Sequence, residues 1–190
     1  SKEVKVNKDF AWLTGLILCD GNYNGQVTVS LGLDEGDIVE EYKEKMKKVF
    51  NVDVKVKEQR RGVKGNYYDL SVIPNKYKTV KELSAKLIGL FGGIRKLDRQ
   101  IPNEVFNWED IGRYAFLAGM IDADGYINNN STISKVQIGS TNKELAIQQM
   151  LLAQSLGMKA SMYRNRYDRD KTKIRYRVEF TPDDKLITFM

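Results

Sequence analysis

Two Asp-Gly pairs carry the chemistry this sequence offers. Asp20-Gly21 and Asp124-Gly125 each close an apolar nonamer, Leu13 to Gly21 and Leu117 to Gly125. Each nonamer reads as a helix whose last turn delivers a carboxylate. An aspartate there faces the negative end of the helix dipole, and two such groups side by side repel, so both effects disfavour ionisation. A divalent cation reverses that balance. Hard oxygen ligands completed by water and substrate phosphate suit Mg²⁺, with Ca²⁺ or Mn²⁺ able to substitute in the same site. Taken singly, either Asp-Gly reads first as an ordinary turn pair; the doubling about a glycine seam favours a metal site. The chain has no histidine, which removes the usual general base and zinc ligand. Catalysis must therefore run on carboxylates, Lys or Arg, hydroxyls and bound metal.

The elements that must position these aspartates are also written twice. Val29-Ser30-Leu31-Gly32 is answered by Val136-Gln137-Ile138-Gly139, and Ser71-Val72-Ile73-Pro74 by Glu179-Phe180-Thr181-Pro182. Helices are expected from Asp9 to Cys19, capped by Asn7, and from Trp108 to Ala123, capped by Asn107. Gly15 and Gly119 fall mid-helix, where glycine costs about 1 kcal/mol relative to alanine. A close approach of the two helices along Gly15, Leu16, Gly119 and Met120 offsets that cost; accommodation of each helix's own sheet is the alternative.

A strand pair should follow each aspartate, with Asn24-Gly25 as a hairpin turn in the first copy and a longer link, Asn128 to Thr132, in the second. Helices starting near Asp34 and Thr141 come next, with inner residues Ile38, Tyr42, Met46 and Val49, then Leu145, Gln149, Leu152 and Leu156. Two more strands follow. A helix from Tyr77 to Phe91, with Val80, Leu83, Leu87 and Leu90 inward, ends at Gly92-Gly93. The expected class is α+β, two pseudo-symmetric αββαββα units with antiparallel sheets. The first half spans 1–93, a linker 94–106, and the second half 107–190; with eight residues after Pro182, a counterpart of the helix through Phe91 is not expected.

Substrate binding falls to the wet strand faces. Lys159 to Arg177 holds eight basic and two acidic residues, and Lys55 to Asp69 five and two, both interleaved with tyrosines. Lys55, Lys57, Arg60, Arg61, Arg164, Arg166, Arg175 and Arg177 can follow a DNA groove, and Gln26, Thr28, Ser30, Lys135 and Gln137 can read base edges. A solvated surface is the ordinary explanation of any one such strand. The net charge of +6 points the same way, towards polyanionic partners. One cysteine, Cys19, excludes an internal disulfide and a Cys-rich zinc site and fits a reducing compartment. Without a long apolar run or a charged-then-apolar leader, the chain reads as intracellular, unexported and not membrane-bound.

The second nonamer differs from the LAGLIDADG signature only at Met120, the first at Thr14, Leu18 and Cys19. From Asn7 to Met190 the chain resembles a two-repeat LAGLIDADG homing endonuclease. That resemblance implies a monomer with motif helices at its centre. It also implies two four-stranded sheets saddling a long, partly asymmetric double-stranded DNA site, with both strands hydrolysed across the minor groove. The catalytic, metal-binding carboxylates of the family sit at the eighth motif position, here Asp20 and Asp124. The sixth position, Leu18 or Asp122, is not a usual ligand. Arg99-Gln100-Ile101-Pro102 resembles the Lys-x-Ile-Pro block of intein-associated members, whose lysine assists near the scissile phosphate; Arg99, with Lys96 a turn away, would balance charge there. A maturase assisting intron RNA, or a non-cleaving DNA-binding regulator, remains an alternative on the same scaffold.

Overall fold

The computed structural model describes residues 3–23, 25–60, 66–73, 77–93, 95–128, 134–167 and 170–190, with the side chains of 77–79, 166–167 and 170–173 set aside. They form a mixed helix and strand fold with two four-stranded antiparallel sheets. Two compact units divide the chain, Ser1–Cys19 with Phe91–Met190, and Asp20–Leu90. That division differs from a cut at the linker: helix α1 (Lys8–Asp20) is counted, up to Cys19, with the larger unit.

In the smaller unit, β1 (Gly21–Asn22), β2 (Thr28–Gly32), β3 (Asp53–Arg60) and β4 (Asn66–Ile73) run in the order β1-β2-β4-β3. Val29, Leu31, Leu70 and Val72 are buried, because strand side chains alternate and these share one parity in register. α2 (Gly36–Phe50) buries Val39, Tyr42 and Met46. The inward stripe thus runs through Val39 rather than Ile38, one position along the 3.6 period. Helix α3 (Tyr77–Phe91) has the expected bounds. It stops where Gly92 takes φ 74°, a left-handed turn that glycine adopts without steric cost. Leu90, expected inside, is only half-buried, while Phe91 is fully buried. Ser84, buried on α3, accepts from Gly25 N at 3.2 Å and donates to Tyr23 O, fastening the β1–β2 connection. Gly25 has φ 72°, but Asn22 pairs with Thr28, so five residues connect the strands and Asn24-Gly25 is not the two-residue hairpin turn its sequence suggests; Asn24 lies outside the described residues.

The larger unit holds α4 (Asp110–Asp124), β5 (Gly125–Asn128), β6 (Lys135–Ser140), α5 (Lys143–Ser155), β7 (Ala160–Tyr167) and β8 (Asp170–Phe180). Its sheet runs β5-β6-β8-β7. Val136, Ile138, Val178 and Phe180 form the sheet's buried face. After Pro182 the chain makes one helical turn, α6 (Asp184–Ile187), capped by Asp183, whose carboxylate accepts from Leu186 N at 2.8 Å. The second repeat therefore has one helical turn where no helix was expected. Short 3-10 turns lie ahead of α4, at Lys96–Asp98 and Asn103–Asn107. The link from Asn128 to Thr132 lies, beyond Asn128, outside the described residues. Among the described residues no helix is long and apolar enough to cross a membrane.

Candidate metal and phosphate site

The site is built on the contact between α1 and α4. Asn7 starts α1 by accepting from Asp9 N at 2.8 Å and Phe10 N at 3.2 Å, which satisfies donors that a helix start leaves open. For α4 the cap position is Glu109, without a side-chain bond, and the expected cap Asn107 ends the preceding 3-10 turn. A Cβ built on Gly15 would overlap the Phe116 carbonyl, and one built on Gly119 the Trp12 carbonyl. Backbone thus meets backbone at both positions, which settles why the helices carry glycine there. The indole of Trp12 donates to Asp122 Oδ2 at 2.7 Å. Asp122, at the sixth motif position, thus fastens this contact with a bond that Leu18, its counterpart in the first copy, has no polar group to make. Nothing in the sequence marked Trp12 as its partner.

Asp124 ends α4 and Asp20 ends α1. Asp124 opens into a polar cavity of about 240 Å³ lined also by Lys96, Arg99, Arg175, Ser140 and Gln149. Its carboxyl is reached by solvent through the cavity yet ringed by protein. Burial raises its pKa, and Lys96, Arg175 and Arg99 each pull it back down. Arg99 is buried and donates to Leu18 O at 2.9 Å and Cys19 O at 3.5 Å. Those carbonyls belong to the last turn of α1 and have no partner within the helix. Arg99 is therefore committed at one nitrogen to holding the end of the motif helix. Lys96 is exposed at the cavity rim.

A divalent cation fits this donor set. Gln149 Oε1 is buried in the cavity wall with no hydrogen-bond partner among the described residues. A buried acceptor calls for a donor, and a water on a cation held by Asp124 is one. Lys96, Arg99 and Arg175 in the lining are donors suited to phosphate oxygens, and the Asp124 carboxylate is the hard oxygen ligand the cavity offers a cation. Among the described residues no group of three or more Cys, Asp or Glu side chains could hold a metal ion.

The candidate DNA-binding residues separate by strand parity. Thr28, Ser30, Lys55 and Lys57 share the wet face of the smaller sheet, through the pairings Thr28–Ser71–Lys55 and Ser30–Asp69–Lys57. Lys135, Gln137, Arg175 and Arg177 share the wet face of the larger one. Gln26 is exposed just before β2. Arg60 and Arg164 do not join these rows: they have the parity of Val56 and Met162, on the opposite faces. Both strands run past the end of the hydrophobic layer, so core-side positions become wet and basic there. Arg60 is ion-paired with Glu58 at 2.6 Å. Arg61 and the side chain of Arg166 lie outside the described residues.

Residues 113–190 match the family model described as a LAGLIDADG-like domain. A structure of mesophilic variants of the homing endonuclease I-DmoI superposes over 96% of this chain and 92% of its own, with a TM-score of 0.59 at 16% identity. The chain has the two-repeat LAGLIDADG fold. The N-terminal LAGLIDADG domain of WhiA has it too, at a TM-score of 0.55 and 11% identity, over 96% of this chain and 80% of that one. In sequence, the chain is 28% identical over 92% of its length to the uncharacterised protein MJ1054 of Methanocaldococcus jannaschii, covering 19% of that protein. It is 30% identical over 80% of its length to a DNA polymerase of Thermococcus hydrothermalis, covering 9% of it. It is 25% identical over 84% to the replication factor C small subunit of M. jannaschii, again covering 9%. The chain thus spans a fifth or less of these relatives.

Within this LAGLIDADG fold, two amides of α5 fasten the linker, and sequence reading missed both. Asn142, not Thr141, caps α5: its Oδ1 accepts from Leu145 N at 3.2 Å, and its Nδ2 donates to Arg99 O at 2.8 Å and Lys96 O at 3.3 Å. Gln148 accepts from Ile101 N at 2.7 Å and donates to Ile101 O at 3.4 Å. Ser140, Thr141 and Asn142 are all cap-forming types, so the choice depends on where β6 ends. Asn142→Ala removes a cap and leaves buried carbonyls unpaired. It should cost about 2 kcal/mol in a denaturant melt, and a loss under about 0.5 kcal/mol would contradict this clasp.

Proposed function

We propose that this chain is a site-specific, metal-dependent endonuclease that hydrolyses both strands of a long duplex target. One observation carries the reading: Asp124, at the eighth motif position, opens into a cavity that holds Lys96, Arg99 and Arg175. A fold alone does not specify function; a carboxylate set among phosphate-binding cations at the end of a paired motif helix points to phosphodiester chemistry. I-DmoI has been solved with its target DNA in the presence of Mn or Mg, and with DNA and Ca, which supports a divalent ion here, Mg²⁺ by preference.

Asp124, and Asp20 at the same position of the first motif, supply the carboxylate ligands. When bound, the cation lowers the pKa of a water and polarises a phosphoryl oxygen. Gln149 Oε1 accepts a hydrogen bond from a water in the cavity. Lys96, at the rim, donates to a phosphate oxygen and steadies the charge that builds during attack. Arg99 keeps the end of α1 in place and adds positive potential. Thr28, Ser30, Lys55, Lys57, Lys135, Gln137 and Arg177 face the duplex along the two wet strand rows, Arg177 stacked on Tyr163 at 5.4 Å.

The relatives also bear on the genetic setting. The matched segment is a small slice of proteins with unrelated names, a polymerase and a replication factor subunit among them. A module inserted into unrelated hosts gives that pattern, so we read the chain as coming from a mobile element of the intein or intron kind.

Selection of cleaved sites from a randomised duplex library tests the proposal. With Mg²⁺, a single family of long sites should be recovered, cut on both strands. EDTA should stop cutting while the same duplexes are still retained on the protein. Sites retained but never cut would make the chain a binding regulator, and preference for structured intron RNA would make it a maturase.

A further inference from the structure

The wet face of the larger sheet carries an acid in its middle. Tyr126, Gln137, Glu179 and Ser161 form one cross-strand row, and Glu179 is the acidic member of that face among the described residues. One of its oxygens accepts from Lys135 Nζ at 2.7 Å and the other from Gln137 Nε2 at 2.9 Å. The Glu179 side chain is 14% exposed and that of Lys135 43%. An ion pair with so exposed a partner adds little to folding, and a negative charge on a face that meets phosphates weakens attraction. Neither stability nor affinity explains the acid. In the smaller sheet Asp69 takes the same place, between Ser30 and Lys57 in register.

What Glu179 does is fix the direction of an amide. Its hydrogen bond from Lys135 holds the carboxyl below the usual carboxylate range despite partial burial, so it is ionised at neutral pH and can only accept. The edge of Gln137 that faces it must therefore be the nitrogen. A free glutamine turns its terminal amide between two nearly equivalent settings and offers a groove either order of donor and acceptor. Tied at Nε2, Gln137 keeps one N–H and Oε1, a donor and an acceptor in a set order. Both oxygens of Glu179 already have a donor from the protein, so the acid holds its neighbours and does not itself read a base.

We propose that Glu179 is a specificity-determining positioning residue, which orients Gln137 to read an adenine in the major groove. Adenine presents there an acceptor, N7, beside a donor, the N6 amine, the complement of what Gln137 has left. The inference rests on duplex binding as proposed above, and not on cleavage.

The test selects duplexes from a randomised library by retention in Ca²⁺, with the wild type, Gln137→Ala and Glu179→Gln, and then offers the wild type's selected duplexes to it in Mg²⁺. Gln137→Ala should flatten an adenine preference of about tenfold at one position of the site. Glu179→Gln, nearly the same size but able to donate as well as accept, should flatten the same position although Gln137 is intact. It should also bind unselected duplex about threefold more tightly, with the slope of log affinity against log salt steeper by about 0.9, because Lys135 is freed for a phosphate. An adenine preference that survives in Glu179→Gln, or a loss spread evenly over all positions, overturns the inference. A wild type that keeps the adenine rule on retained duplexes yet cuts none of them upholds it and removes the nuclease reading. A wild type that cuts its selected sites while Gln137→Ala changes no position does the reverse, and one that selects no duplex removes both.

Discussion

Asp124→Asn should lower cleavage of the selected duplex by about 10³-fold or more, the scale at which an activated water and charge stabilisation act. Binding of the duplex in Ca²⁺ should change little. Asn keeps the shape of the side chain but loses the charge that holds a cation. Burial already disfavours the Asp124 carboxylate in the folded protein, so the variant's metal-free melting temperature should be equal to or above the wild type's. That combination, dead but not destabilised, separates a chemical role from a structural one. Asp20→Asn should behave alike in cleavage. Full activity in both variants would remove the metal site from the account.

The second large effect concerns stability. Gly119→Ala places a methyl in the Trp12 carbonyl, with Leu16 N close behind, so neither neighbour is a side chain that can swing away. The helices must separate, at a cost of about 2–3 kcal/mol despite alanine's better helix propensity. In a chain of this size that lowers the melting temperature by roughly 4–12 °C. Gly89, on α3, has open space around its missing side chain. There the identical substitution should stabilise by about 0.5–1 kcal/mol. Equal effects at the two glycines would mean that the α1–α4 contact is not backbone on backbone.

Much of this architecture could be read from the sequence because repetition multiplies weak signals. A glycine inside one helix is ambiguous; the same glycine in two copies of a motif indicates a shared contact, and Gly15 and Gly119 make it. The bounds of α3 were legible because Gly92 stops the helix by its own backbone geometry. What escaped depended on distant partners. Arg99 looks like a surface cation until Leu18 O and Cys19 O are seen to occupy it. Arg60 and Arg164 look like Lys55 and Arg175 by composition. They differ by one step of strand parity, which counts only once the end of the core is known. Gln149 reads as an imperfect core position, and its orphan oxygen appears only with the cavity around it.

Asn142 and Gln148 together alter how chimeric versions of this chain should be assembled. A designer grafting the second repeat onto a foreign first repeat would naturally change sequence between 94 and 106, treating that stretch as exchangeable spacer. Its carbonyls at Lys96, Arg99 and Ile101 are held by α5, so those residues travel with the second repeat. The sounder junction lies upstream of Phe91, where the compact units part.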